Sequence, residues 1–285
     1  MFRFVHNKVW AFDVEWVPDP ATGRLLYDLP EVVSDEEVMH EMWKQGGATE
    51  EEPMPYLKTV LCRVVSISVL TRHVHNGEVK LNLISLPRDP NDPSQISEAH
   101  IVETFLNAIG THKPQLIGFN SHAADLKILV QRGVAKGIQA AEFSKRPGKP
   151  WEGIDYFIRG SNWHIDLMEI LGGWGKSTPS LHEMVTACGI PGKISLEGYE
   201  VAPLWLKGEI GKIIAYNEFD TLTTYLLWLR LAHFGGFFDT EQYESESGLL
   251  REFVSKEAET SERSYLKDYL TEWQRLEGLT ETPEI

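Results

Sequence analysis

The sequence predicts an α/β layered domain, a mixed β-sheet flanked by helices, and two observations carry that reading. Three strand-like runs come first in the chain, and behind them short apolar runs alternate with segments of helical periodicity. A composition that is 42% hydrophobic and 11% aromatic supplies apolar mass for one substantial core, and excludes a disordered or disulfide-stapled chain.

The elements follow in order. Residues 8–16 (KVWAFDVEW) read as a first strand rich in Val, Phe and Trp. Residues 17–59 interrupt it with Pro-, Gly- and Glu-rich sequence and a short helix around residues 34–44. Two further strands are expected at 60–71 and 78–86, joined through His75-Asn76-Gly77, a hairpin turn signal. Ser97 opens a segment with apolar residues at 101, 102, 105, 106 and 109, the spacing of an amphipathic helix. LIGFN at 116–120 reads as a short buried strand, and 121–133 as a helix. Residues 142–162 read as a polar loop, WHID at 163–166 as a strand, and 166–171, 180–188 and 209–232 as helical. Beyond residue 249, Leu250, Phe253, Tyr265, Leu266, Tyr269, Leu270 and Trp273 keep helical spacing, which predicts one or two appended helices. The expected organisation is a domain over 1–238 with an acidic insertion at about 31–52, followed by an acidic helical extension over 239–285.

The net charge is −15. Residues 31–52 hold eight acids against Lys44, and residues 240–285 hold twelve acids against five bases, so the body of the protein is near neutral. A polyanionic partner is therefore compatible with the chain, although no basic stripe marks one. No apolar run approaches the ~20 residues of a membrane span, and the N-terminus enters a strand without a signal-peptide pattern, so a soluble, cytoplasmic protein is expected. Cys62 and Cys188 are too far apart for a metal-knuckle spacing.

Carboxylates dominate the chemistry-bearing residues. Asp13 and Glu15 are two apart on the first strand and share a face, while Phe12, Val14 and Trp16 are expected to point the other way. Paired carboxylates on an apolar strand repel each other and are costly to desolvate, an arrangement that calls for a cation such as Mg²⁺ or Mn²⁺ unless the face is solvated. Asp125 follows Gly118-Phe119-Asn120 at a strand-to-helix junction, where α/β sites gather. Tyr216 and Asp220 are four apart on a helix and share a face.

In that order, D-x-E on a first strand, G-F-N with a following Asp, and Y-x-x-x-D on a late helix, the sequence resembles the DEDDy branch of the DnaQ-like 3′–5′ exonucleases, and more narrowly the predicted PolB-like 3′–5′ exonuclease family. FDVEW (12–16), LIGFNSHAADLKILVQRG (116–133), HIDLMEILGGWG (164–175) and YNEFDTLTTYLLWLR (216–230) carry the likeness, which spans about residues 8–235. Ala124 stands where an aromatic often precedes the second-motif Asp.

The resemblance implies a ribonuclease H-like fold and metal-dependent hydrolysis of single-stranded DNA or RNA from the 3′ end, releasing 5′-mononucleotides. It implies two Mg²⁺ or Mn²⁺ ions held by Asp13, Glu15, Asp125 and Asp220, with Tyr216 orienting the attacking water. Asp166 is expected to be structural and His164 a packed histidine. Asn120 and the cations Lys145, Arg146, Lys149 and Arg159 are the candidates for substrate contacts, with Trp151, Tyr156 and Phe157 for base stacking. The other reading is a catalytically silent nucleic-acid or protein-binding module on the same fold. No matched motif falls in the tail, so a chain cut after Phe238 is expected to keep its chemistry.

Overall fold

The computed structural model describes residues 1–149, 152–192, 194 and 198–280. Among them five strands form one sheet: β1 (Lys8–Pro18), β2 (Cys62–His75), β3 (Glu78–Leu86), β4 (Gln115–Gly118) and β5 (His164–Asp166), in the order β3-β2-β1-β4-β5. The first three pair antiparallel, and β4 and β5 run parallel to β1. The mixed sheet is the one the sequence predicts. Asn76 (φ 53°) and Gly77 (φ 82°) make the β2–β3 turn, both left-handed as a two-residue hairpin loop of matching twist requires.

The sheet carries a core on each face. On one, Phe12 and Val14 of β1 and Ile67 of β2 pack against α2 (Asp35–Gln45), α3 (Glu98–His112) and α4 (Asp125–Ala135). On the other, Val9 and Ala11 pack toward α9 (Ile210–Phe234), whose Leu222, Tyr225 and Trp228 are fully buried. The acidic insertion is part of the first core. Ser34 forms a capping box with Glu37 at the start of α2, and Val38, Met39 and Met42 are fully buried while the acids face outward. Arg132 ties this layer together, donating to Asp19 (2.6 Å) and Glu98 (2.6 Å), and Glu98 also accepts from the Val64 amide (2.9 Å).

Three short helices escape the sequence pattern. The chain between β1 and α2 forms α1 (Pro20–Leu26), with proline at its first position, where a missing N–H costs nothing. Ahead of α9 lies α8 (Val201–Leu206). The third is α5 (Ala141–Ser144), which takes up the start of the segment expected as a polar loop, with Phe143 buried; α6 (Leu167–Leu171) and α7 (Leu181–Ala187) complete the connections.

The tail forms two helices, α10 (Thr240–Thr260) and α11 (Leu266–Thr280), as expected, but it does not behave as a detachable appendage. Leu250, Val254, Leu266 and Tyr269 are fully buried in the second core. Arg72 of β2 is ion-paired by Glu246, which also accepts from the Tyr225 hydroxyl (3.2 Å). Glu218 of α9, fully buried, accepts from Arg263 (3.0 Å), Tyr265 (2.7 Å) and Ser85 (2.5 Å). A cut after Phe238 would leave Arg72 without Glu246 and Glu218 without Arg263, which corrects the expectation that the tail can be removed freely. No described helix is long and apolar enough to cross a membrane.

Candidate active site

Side-chain alternation sends Asp13 and Glu15 from one face of β1, and α9 crosses that face and delivers Asp220. One ligand oxygen of each lies within 4.8 Å of the others, and all three residues are half-buried. Burial raises the Asp13 carboxyl well above the ordinary range, and the charges of Asp125, Glu15 and Asp220 raise it further. Burial does the same to Glu15, with Asp220 and Asp125 adding to it.

Asp125 stands at the first position of α4, buried, and acts on both β1 carboxylates through its charge rather than within the 4.8 Å cluster. Burial pushes its carboxyl up to about 7, the Asp166 charge adds to the rise, and the amides of Asp125 and Val14 oppose it. Ala124 holds the register without an aromatic ring: its amide donates to the Asn120 carbonyl (3.0 Å) and its carbonyl accepts from Ile128 (2.9 Å).

The loop before Asp125 is fixed from β5. Asp166 accepts from the amides of Asn120 (2.9 Å) and His122 (2.9 Å) and caps α6 through Met168 (3.0 Å). Asn120 sits at φ 58°, and a Cβ on Gly118 would lie 2.4 Å from the Ser121 side chain, so the turn closes only around glycine. His164 is enclosed between Ser121 Oγ (2.9 Å) and the Tyr156 carbonyl (3.2 Å). Burial and His122 drop its pKa to about 3, so it stays neutral. Both residues serve the fold in the manner expected of them.

Tyr216 lies one turn before Asp220 and hydrogen-bonds to it. Burial raises its phenol above the ordinary value, and the negative charges of Asp220, Glu15 and Asp13 raise it further. The hydroxyl therefore remains a hydroxyl at neutral pH.

Asn217 escaped the sequence reading. Its amide nitrogen donates to Asp13 Oδ2 (2.7 Å) and its amide oxygen accepts from Ser66 Oγ (3.0 Å), so the fully buried Asn217 bridges from β2 through α9 to the half-buried Asp13 of β1. The only sequence signal was its place directly after Tyr216, on the helix that carries Asp220.

Several expected contacts are not brought to the site. Lys145 and Arg146 line a cavity with Lys113 and Tyr156, beside Pro114 at the start of β4, the opposite end of that strand from Asp125. Arg146 pairs with Asp155 (2.8 Å), Lys145 with Glu142 (3.5 Å), and Lys149 with Glu152 (2.8 Å) within the same segment. Tyr156 is buried, its hydroxyl bonded to the Pro114 carbonyl, so its ring is closed to a base, and the half-buried Phe157 packs edge-on to Phe143. Trp151 lies outside the described residues. Arg159 alone of the four cations approaches the loop behind the site, pairing with Glu169 (3.3 Å) of α6. Trp16 packs on the same core as Phe12 and Val14, the side on which the alternation of β1 places it. The β1–β2 register shifts by one residue between Glu15 and Trp16, which face Ser66 and Val64 with Val65 of β2 as the extra residue, and both are half-exposed.

One family of sequences, described as a predicted 3′–5′ exonuclease related to the exonuclease domain of PolB, matches residues 54–273, well over half of the chain. No curated protein gives a match. The matched span holds Asp125, Tyr216 and Asp220 and begins after β1, so Asp13 and Glu15 join the site through geometry alone. It also runs through α10 into α11, further than the motifs reach, in keeping with the burial of those helices against α9.

Proposed function

Because the chain belongs to the family of predicted 3′–5′ exonucleases related to the exonuclease domain of PolB, we propose that it removes nucleotides from the 3′ end of single-stranded DNA or RNA as 5′-mononucleotides. The observation that carries this reading is the convergence of Asp13, Glu15 and Asp220 from β1 and α9, with Asp125 facing them and Tyr216 bonded to Asp220.

The donor set fits Mg²⁺ or Mn²⁺: hard carboxylate oxygens, half-buried, whose strongest neighbours are other carboxylates. Asp13, Glu15 and Asp220 would hold one ion, and Asp13 with Asp125 a second. Bound ions of this kind make water a stronger nucleophile at neutral pH and offset charge gathering on the phosphate oxygens. The chain's own groups set the positions. Asn217 fixes one oxygen of Asp13, leaving the other for a ligand. Tyr216, held protonated, orients the attacking water and does not take its proton. Asn120, whose amide is held by Asp166 in the loop between β4 and Asp125, is the candidate substrate contact there.

Oligonucleotides labelled at either end, incubated with Mg²⁺, Mn²⁺ or EDTA, test the reading. The expected result is stepwise loss from the 3′ end with either metal and none in EDTA, with Asp13→Ala folded and inactive. Binding without degradation under any metal would leave the silent module instead. More than about a tenth of the wild-type rate in Asp13→Ala, a loss of only ~1.4 kcal/mol, would remove Asp13 from the centre of the site.

A further inference from the structure

The five consecutive residues 216–220 of α9 divide between two tasks. Tyr216, Asn217 and Asp220 turn to the carboxylate site, where Asn217 holds Asp13 and Tyr216 holds Asp220. Glu218 and Phe219 turn away from it. Glu218 is fully buried, and both of its oxygens accept from Arg263 Nε at 3.0 Å. One oxygen also accepts from the Tyr265 hydroxyl (2.7 Å) and the other from Ser85 Oγ (2.5 Å). The carboxylate thus ties α9 to β3 and to the turn between α10 and α11. Phe219 is gripped beside it, its ring stacked on Tyr269 (5.7 Å between centroids) and met edge-on by Tyr265 (5.9 Å).

Packing leaves room beside this stretch of helix. Gly211, Ile214 and Glu218 recur on one face of α9, and that face lines a cavity of about 520 Å³ between α9 and β3. A Cβ on Gly211 would meet nothing within 4 Å. A buried ion pair adds little net stability, because desolvating both ions offsets their attraction, but its bonds are directional. Glu218 and Asp220 stand two residues apart, about 200° around the helix, so a grip on the first sets the angle of the second. An atom about 6 Å from the helix axis moves about 1 Å for each 10° of roll, and a misplacement of that size costs about 10²-fold in rate. Resting on the reading of Asp13, Glu15 and Asp220 as a metal centre, we propose that Glu218 is a positioning residue. Held by Arg263, Tyr265 and Ser85, it fixes the roll of α9 and so sets Asp220 and Tyr216 against Asp13 and Glu15. The acidic tail acts on the site from behind, through the helix rather than through the substrate.

Glu218→Met/Arg263→Met replaces the pair by apolar side chains, which keeps the burial and removes the directional bonds. Expected are a melting temperature at or above that of the wild type and Mn²⁺ binding, by titration calorimetry, weakened about tenfold. On a single-stranded oligonucleotide kcat should fall about 10²-fold while KM stays level. In an Asp220→Asn background the same double substitution should leave Mn²⁺ affinity unchanged, because the effect runs through Asp220. A folded double-Met variant with wild-type Mn²⁺ affinity overturns the proposal, and so does an equal loss in both backgrounds. If the double-Met chain does not fold, Arg263→Lys is read in its place. Lysine keeps the charge but not the three directions in which Arg263 donates to Glu218, Glu257 and the Leu83 carbonyl. Mn²⁺ affinity about threefold or more weaker in that variant supports the positioning role, and unchanged affinity overturns it. The calorimetry needs no substrate, so absence of hydrolysis removes the exonuclease and leaves this test standing. Absence of Mn²⁺ binding in the wild type overturns the proposal itself.

Discussion

Replacing Asp125 by asparagine should stabilise the metal-free protein, and the gain should grow with pH. Burial pushes the Asp125 carboxyl from an ordinary 3.8 up to about 7 in the fold. The sign follows from linkage. Below about pH 4 the group is protonated in both states and costs nothing. Between about pH 4 and 7 the unfolded chain releases the proton while the fold resists, so stability falls as pH rises, and above 7 the cost is constant. At ~1.4 kcal/mol for each tenfold change in proton affinity, that rise sets a ceiling of about 4 kcal/mol, and sharing of charge with neighbouring carboxylates brings the expected figure to about 2 kcal/mol. Asparagine keeps the shape and an oxygen for the Asp125 and Val14 amides. In EDTA, Asp125→Asn should therefore melt about 4–8 °C higher than wild type at pH 8 and show a smaller gain at pH 5. Adding Mn²⁺ at pH 8 should raise the wild type more than the variant. A gain equal at pH 5 and pH 8, or a loss at pH 8, would refute the argument that an uncompensated carboxylate destabilises the site.

Tyr216→Phe keeps the ring and every carboxylate, so kcat should fall about 10²-fold, ~2.7 kcal/mol, while Mn²⁺ affinity stays level; equal rates would mean the hydroxyl serves only Asp220. Asn217→Ala takes the amide donor from Asp13, and titration calorimetry should show Mn²⁺ binding weakened about tenfold, with unchanged affinity counting against a positioning role. Truncation after Phe238 strips partners from Arg72 and Glu218 and uncovers α9, so the product should be insoluble or lack a cooperative thermal transition; a folded, active truncation would show that the core closes without α10 and α11.

The strands, the long helices and the order of the carboxylates were readable because each rests on local pattern: alternation in β1, the Asn76-Gly77 turn, helical spacing in α3 and α9. Even Trp43 and the buried stripe of α2 keep helical spacing inside an acidic segment. What local pattern could not give were relations between distant segments. The bulge at Trp16 depends on how β2 pairs with β1, 50 residues away in sequence. The Asn217 bridge needs Ser66 and Asp13 on two different strands. The cations at 145–149 look like a binding loop until their partners Glu142, Asp155 and Glu152 fold back on them. The tail reads as an acidic appendage until Glu246 and Arg263 are seen facing Arg72 and Glu218. Sequence determined the kinds of group this protein brings to its site, because backbone periodicity sets which side chains share a face. Tertiary structure decided which of those groups meet, because charge pairing and burial act between segments that only the closed fold brings together.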